Sequence, residues 1–400
     1  MRVSTAQFYF QNTQQITNKS SDVNEQIGYI SSGKRILTAK DDAVYFGTLA
    51  GYKEGLQNIE KYQRNITQAE NRNSSQEVSF LNAEGLMQEL KQLFIQANNG
   101  TLSDSDLNAL AELASNSQSQ LLNIANSKDE TGSYIFAGFQ TDKEPFAMQP
   151  DKSVNYLGDS GVREVQISRN VMVATNQAGD EAFMDVPNSI GDFTPSYTTN
   201  TSGIHVSQAV IATPGQYDDV NNPPGYTFTF SLPNDLTVTD GNNNTVYPTA
   251  PYIAGQEIAF NGVEVQISGN PLPNDQFTLS PEENISIFDT IKAATDWMNQ
   301  SGSTSETQRA VDYQEILSQL DNALNHMTSR QVDAGVRRSL IEQQKEHHLD
   351  NELVLSKGES NIEDLDFAKA ISTFEQSQVA LQAAQQMFVK MKDLSLFNYI

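Results

Sequence analysis

The stretch SSGKRILTAKDDA, Ser31 to Ala43, is a small, polar break with one glycine between two segments of heptad spacing. Before it, Tyr9, Ile16, Val23 and Ile30 recur every seven residues, with Thr13, Ser20 and Ile27 at the intervening positions. After it, the 3-4 spacing resumes at Leu49, Tyr52, Leu56, Ile59, Gln63 and Ile66 and continues through Leu86, Leu90, Leu93 and Ala97. Such spacing predicts helices packed in left-handed supercoils. Gly33 can supply the turn that ends the first helix. Asp41 or Asp42 can cap the next one and complement its dipole. The break therefore reads as a joint, with Gly33, Asp41 and Asp42 as its deciding residues.

A third helix is expected to open at Ser103, with Asp106 completing a capping box. Towards the other end, Leu317, Leu320, Leu324, Met327 and Ala334 begin a long helix. A last arm carries Phe367, Ile371, Phe374, Gln378, Leu381, Gln385 and Phe388. An arm of about 30 residues is about 45 Å long as a helix, more surface than one partner helix covers. Because helices owe most of their stability to packing, the terminal arms are expected to order fully only among neighbouring subunits.

Proline maps the rest. All 13 prolines lie between Pro145 and Pro281, and proline is expelled from helix interiors. Two helical arms around a β-rich insert follow. The insert segments REVQISRNVMVAT, GYTFTFSLP, LTVTDGNNNTVYP and IAFNGVEVQISG alternate β-branched or aromatic residues with polar ones. The Asn-Gly of FNGVEVQI fits a type I′ hairpin turn. The fold class is mainly α with a β-rich insert. Residues 1–40 and 362–400 are the terminal coiled-coil arms, 41–145 and 284–361 a helical bundle, and 146–283 the exposed insert.

The formal charge is −25. Between Asp151 and Thr290 there are 17 acidic residues against Lys152, Arg163 and Arg169, a net −14, and no Lys or Arg occurs from Asn170 to Ile291. This excludes nucleic acid and anionic membrane surfaces as partners, since both need clustered cations. There is no cysteine, hence no disulfide, Cys–zinc or thiol chemistry. No apolar run is long enough to span a bilayer. The start MRVSTAQFYFQNTQQ lacks the h-region of a cleaved signal peptide. Composition leaves both a cytoplasmic protein and one exported without a cleaved signal open.

No enzyme is expected, and no cofactor or metal. The histidines are His205, His326, His347 and His348. The adjacent pair points about 100° apart on a helix and cannot chelate one ion from one face. DGNNN at 240–244 starts like an EF-hand loop but lacks its sixth-position Gly and terminal Glu. No phosphate-binding glycine loop or nucleophile–base motif occurs.

These motifs resemble a known family. SSGKRILTAKDDA is similar to the segment of flagellins and flagellar hook-associated proteins that joins the terminal helix to the next domain. LMQELKQLFIQANNGTLS (86–103), LLNIANSKDETGSYIFAGFQTDKEPF (121–146), VNYLGDSGVREVQI (154–167) and IAFNGVEVQISGNPLPNDQFTLSP (258–281) resemble the FlgL family of hook–filament junction proteins. LDNALNHMTSRQVDAGVRRSLIE (320–342) and LDFAKAISTFEQSQVALQAAQQMFVKMKDLSLF (365–397) extend the resemblance, which thins between Ala182 and Gly255. The start MRVSTAQFYFQN and the ending LSLFNYI favour the junction protein, whereas Asp41-Asp42-Ala43 is nearer to flagellin than the Asp-Asp-Pro of many hook-associated members.

The resemblance implies a flagellin-like structural protein, exported by the flagellar type III system with a chaperone and located outside the cell. It implies self-association in a ring or tube, with hook-associated protein 1 and flagellin as partners. The assembly interface would be Ile16, Val23, Ile27 and Ile30 against Phe367, Ile371, Phe374, Leu381 and Phe388, and small Ser31, Ser32 and Ala39 would let neighbours approach. A flagellin subunit is the alternative. A second alternative is an adhesive or carbohydrate-binding insert using Tyr197, Tyr217 and Tyr226.

Overall fold

The computed structural model describes residues 2–232, 234–300 and 305–393. The LSLFNYI ending lies outside them. Among the described residues six α-helices frame the insert: α1 (Arg2–Ser32), α2 (Ala43–Ala97), α3 (Asp104–Ala125), α4 (Ile287–Asn299), α5 (Glu306–Glu363) and α6 (Phe367–Asp393). Between α3 and α4 run β1 (Phe146–Met148), β2 (Val154–Tyr156), β3 (Glu164–Ser168), β4 (Val171–Ala174), β5 (Val186–Pro187), β6 (Phe193–Thr199) and β7 (His205–Ile211). They continue as β8 (Tyr226–Ser231), β9 (Asp235–Thr239), β10 (Thr245–Pro251), β11 (Glu257–Phe260), β12 (Val263–Ser268), β13 (Gln276–Pro281) and β14 (Asn284–Ile285). One compact unit is built from residues up to Arg64 and from Gln343 onward, the other from Asn65–Glu342.

In the first unit α1 pairs with α6, and Tyr9 meets Phe388 edge to face at 6.0 Å. The half-buried line on α6 runs Phe374, Ser377, Leu381, Ala384 and Phe388, starting from buried Ala370. Gln378 and Gln385, expected in this seam, are exposed, as is Thr13 on α1, whose place is taken by half-buried Asn12. The heptad steps by three and then four, not four and then three. That phase alternates large rings and Leu381 with Ser377 and Ala384, whose small side chains let the helices approach. The α2–α5 part of this unit encloses Ile36, Leu49 and Ile362, with Tyr52 against them.

The second unit has its helical core along Phe80, Ala83, Met87, Leu90, Phe94 and Ala97 of α2, an unbroken 3-4 seam facing α3, α4 and α5. Leu86 and Leu93 flank this seam half-buried instead of forming it. Trp297, the single tryptophan, packs against Phe94 at 5.2 Å and Tyr313 at 5.5 Å. The capping box at α3 is present: Asp106 N–H donates to Ser103 Oγ, and Ser103 N–H donates to Asp106 Oδ2 at 3.0 Å.

Further back along α2 the seam turns polar, and its amides reach a β-hairpin. Asn65 Nδ2 donates to Gln166 O (2.7 Å), Asn73 Nδ2 to Ala174 O (3.0 Å) and Gln76 Nε2 to Thr175 O (2.9 Å). The hairpin β3–β4 thereby sits on the helix over Ile66, Ala69, Ile167, Val173 and Ile341.

The rest of the insert contains an antiparallel five-stranded sheet, β10-β9-β8-β13-β6, and a three-stranded sheet, β11-β12-β7. They share one core, with Phe228, Phe277 and Leu279 from the first and Phe260, Val265 and Ile267 from the second. The β11–β12 turn has φ 45° at Asn261 and φ 74° at Gly262, as its type I′ reading requires. Tyr197 of β6 donates its hydroxyl to Glu315 of α5 at 2.6 Å and accepts from Val206 N–H at 3.1 Å. Burial pushes the Glu315 carboxyl up to about 7, against the opposing pull of the Tyr197 bond.

A sign follows. The folded chain keeps a proton on Glu315 where the unfolded chain has lost it, so this group's contribution to stability falls as pH rises from the ordinary carboxylate range to about 7. The variant Glu315→Gln cannot lose that proton and should flatten the dependence, by on the order of 3 kcal/mol across the window. Urea unfolding followed by Trp297 fluorescence at several pH values checks it, and an unchanged slope in the variant would refute the assignment.

Candidate assembly interface

The joint is a pairing of two chain crossings. Gly33 takes φ 67° after the last turn of α1, a conformation that costs other residues most. Its carbonyl accepts from Leu365 N–H at 3.0 Å, and Arg35 N–H donates to Glu363 O at 2.7 Å. The chain leaving α1 is thus hydrogen-bonded antiparallel to the chain leaving α5, with Lys34 bridged to Asp364. The Arg35 guanidinium donates through Nε and Nη2 to Ile362 O, at 3.0 and 2.8 Å, so a helix C-terminus receives a cation.

Beneath this pairing Glu363, almost wholly buried, meets Lys34 at 2.7 Å and Lys53 at 2.6 Å. Burial raises its carboxyl, but the bonds and charges of the two lysines outweigh that and hold it below its ordinary range. The two aspartates of the opening motif divide the work. Asp41 Oδ2 accepts from Leu37 and Thr38 N–H, each at 2.8 Å, and Oδ1 from the Tyr29 hydroxyl at 2.9 Å. Asp42 Oδ1 accepts from Val44 and Tyr45 N–H at 3.1 Å, capping α2. The backbone N–H groups of Thr38 and Leu37 hold Asp41 below the usual carboxylate range, while burial and the Asp41 bond push the Tyr29 hydroxyl up.

Of the residues expected at the interface, Ile16, Val23, Ile30, Phe374, Leu381 and Phe388 are half-buried. Ile27, Phe367 and Ile371 stand about half exposed. Phe10 (70%) and Val379 (64%) are exposed too. Each terminal helix therefore carries apolar side chains that this chain does not cover. Arg35 and Glu363 escaped the sequence reading because their partners come from more than 300 residues away, and Tyr29 because its bond to Asp41, 12 residues on, follows no local spacing. Asp366, whose Oδ1 accepts from Lys369 N–H at 3.1 Å at the start of α6, was also missed, although an aspartate just before an apolar-periodic arm is a cap signal.

The sites considered for other chemistry are occupied otherwise. Asp240 Oδ1 accepts from Asn242 and Asn244 N–H in a tight turn. Among the described residues no group of three or more His, Asp or Glu is placed to hold a metal. His326 Nε2 lies 3.0 Å from Glu181 O, and His348 stacks on Tyr62 at 5.4 Å. Tyr197, Tyr217 and Tyr226 do not form a stacking platform for sugars. Their rings pack on Phe277, Phe193 and Phe260 inside the insert.

Residues 3–141 match the bacterial flagellin N-terminal helical region, and residues 317–400 the C-terminal helical region. The crystal structure of flagellar hook-associated protein-3 from Legionella pneumophila has a TM-score of 0.65 to this chain at 31% identity, covering 76% of this chain and 96% of that one. The chain belongs to the FlgL family, that of hook-associated protein 3. A second Legionella structure, described as the flagellar junction protein FlgL, is 29% identical at TM-score 0.65, covering 79% of this chain and all of that one. Flagellar hook-associated protein 3 of Escherichia coli K12 is 23% identical over 398 residues, the full length of this chain and 99% of its own. As an FlgL-family protein the chain is a structural component of the flagellum, and the flagellin reading is the weaker one.

Replacing Asp41 with Ala strips partners from two amides and one hydroxyl, at a cost of about 1–2 kcal/mol. Hydrogen exchange at Leu37 and Thr38 should quicken, while Asp42→Ala should act at Val44 and Tyr45 instead. Because Asp41 is held low, its contribution is present at neutral pH and is lost as pH falls through its depressed value. Exchange rates at 37 and 38 that do not change in Asp41→Ala would remove the clamp from the account.

Proposed function

We propose that this chain joins the hook to the filament, seated on hook-associated protein 1 and receiving flagellin on its other side. On this reading it is exported unfolded through the flagellar type III system, with a chaperone, and acts outside the cell without losing a signal peptide. Residues 1–40 and 362–400 form the inner layer of the assembly, 41–145 and 284–361 the surrounding bundle, and 146–283 the outward part.

The observation that carries this reading is the pair α1–α6, apolar on more than one face. Phe10, Ile27, Ile371 and Val379 are left in water by the single chain, and covering each fully is worth roughly 1.5–3 kcal/mol. A head-to-tail contact repeated around an axis covers such faces and closes into a ring or continues as a tube. Several contacts per subunit make attachment firm even where each is modest.

The test is mass spectrometry of the culture medium from a strain lacking the gene. Abundant monomeric flagellin supports the junction role. Loss of the filament with no flagellin in the medium would assign the chain to flagellin itself, and an unchanged medium would sink both readings. Ile371→Asp, at an exposed position, should release flagellin to the medium in the same way while Trp297 fluorescence of the purified chain stays native. Phe374→Asp should do so as well and should also loosen α1 from α6. Normal filaments carrying either variant would contradict the interface. Limited proteolysis of the free chain should cut near Lys19 and Lys390, and resistance there would show that the arms need no neighbours.

A further inference from the structure

A cavity of about 170 Å³ lies in the unit Asn65–Glu342, walled by Ile190, Pro195, Ile285, Ala293 and Ile316. Its polar groups are almost all committed within the chain. Asn188 Nδ2 donates to Thr194 Oγ1 and Glu282 O. Gln319 accepts from Ser189 N–H. Thr290 donates to Ser286 O, and Asp289 accepts from the Ser286 hydroxyl. Two carboxylates each keep one oxygen without a protein donor among the described residues: Asp289, whose other oxygen takes the Ser286 hydroxyl, and Glu315, whose other oxygen takes Tyr197. The other ionisable groups beside Glu315 are Tyr197 on β6, Asp289 on α4 and Asp312 on α5, and the cavity lining contains no Lys, Arg or His. Arg309, on the same helix as Glu315, is spent over the Trp297 ring at 3.8 Å and on Trp297 O at 3.0 Å.

An apolar cavity with uncommitted carboxylate oxygens on Glu315 and Asp289 and no cation in its lining calls for an aliphatic body that ends in a cation. We propose that this cavity binds a primary alkylammonium, its chain on Ile190, Ile285 and Ile316 and its nitrogen on Glu315. Size agrees, since cavities of about 150 Å³ admit six-atom ligands such as benzene. An alkylammonium remains charged far above neutral pH, and a hydrogen-bonded charge pair in a partly dry site is worth more than one in water. The same chemistry has two sources, a free amine or the lysine side chain of a neighbouring protein.

The experiment is calorimetric titration of the purified full chain with n-butylamine, with n-butanol as the neutral control of equal length. The amine should bind and the alcohol should not compete. Glu315→Gln should weaken the amine about tenfold or more, with native Trp297 fluorescence confirming its fold. Ala293→Leu, which narrows the cavity and leaves Glu315 in place, should abolish binding. Affinity for the amine should rise between about pH 6 and about pH 8, as Glu315 loses its proton. Nα-acetyl-lysine methylamide separates the sources: binding equal to butylamine means that the mouth admits a protein-borne lysine, and its exclusion assigns the site to free amines. Equal binding of alcohol and amine, or amine binding that survives both substitutions, would overturn the proposal.

Discussion

Where α1 and α5 end, four backbone groups must be paired again at one level, and the first unit depends on that pairing. Gly33 O and Leu365 N–H, with Arg35 N–H and Glu363 O, tie the two exits together. A helix end left unpaired would carry orphan donors and acceptors. Because the exits are tied to each other, the end of α1 and the start of α6 are held together, which constrains how the two helices pair. Glu363 completes the constraint. A buried carboxylate without partners would be strongly unfavourable, so Lys34 from one exit and Lys53 from α2 must both reach it. Two lysines on one acid fix a three-way junction of backbone, not just a surface contact.

The polar amides of α2 do the corresponding work in the second unit. Asn73 and Gln76 sit in an otherwise apolar seam, and both are fully buried. Alone they would weaken it. Paired with Ala174 O and Thr175 O, they accept one hairpin in one register, because a shift by one residue would leave the amides facing side chains. Affinity of helix for hairpin comes from Ile66, Ile167, Val173 and Ile341; the choice of register comes from the amides.

Helices, caps and the Asn-Gly turn were legible because each is local: a period, a hydroxyl three residues from an acid, a dipeptide that tolerates positive φ. The phase of the α1–α6 seam was less so. Gln378 and Ser377 are adjacent and both polar, and only the partner's proximity selects the smaller. Strand β6 was hidden by Pro195, and β10 beyond its TVYP start by Pro248 and Pro251, since proline argues against a strand interior. The structure resolves this by placing both at the two edges of the five-stranded sheet, where a missing N–H on one side is tolerated. The joint's ion pairs join residues about 300 positions apart, and no local pattern announces them. Asp41 and Asp42 were both available as the α2 cap; only geometry gives that role to Asp42 and makes Asp41 the clamp on Tyr29.

Charge and apolar surface are divided between the parts of this chain in a way that bears on assembly. The insert, residues 146–283, holds a net −13 with no cation after Arg169, while uncovered apolar side chains line α1 and α6. Two inserts brought together repel, and within a screening length of about 8 Å that repulsion persists at physiological salt. Two pairs of arms brought together gain burial. Association through the insert is therefore disfavoured and association through the arms favoured, whichever subunit arrives first. For a protein that must pass through many encounters before reaching one end of one tube, repulsion at the insert is as informative as attraction at the arms: it removes the wrong contact without weakening the right one.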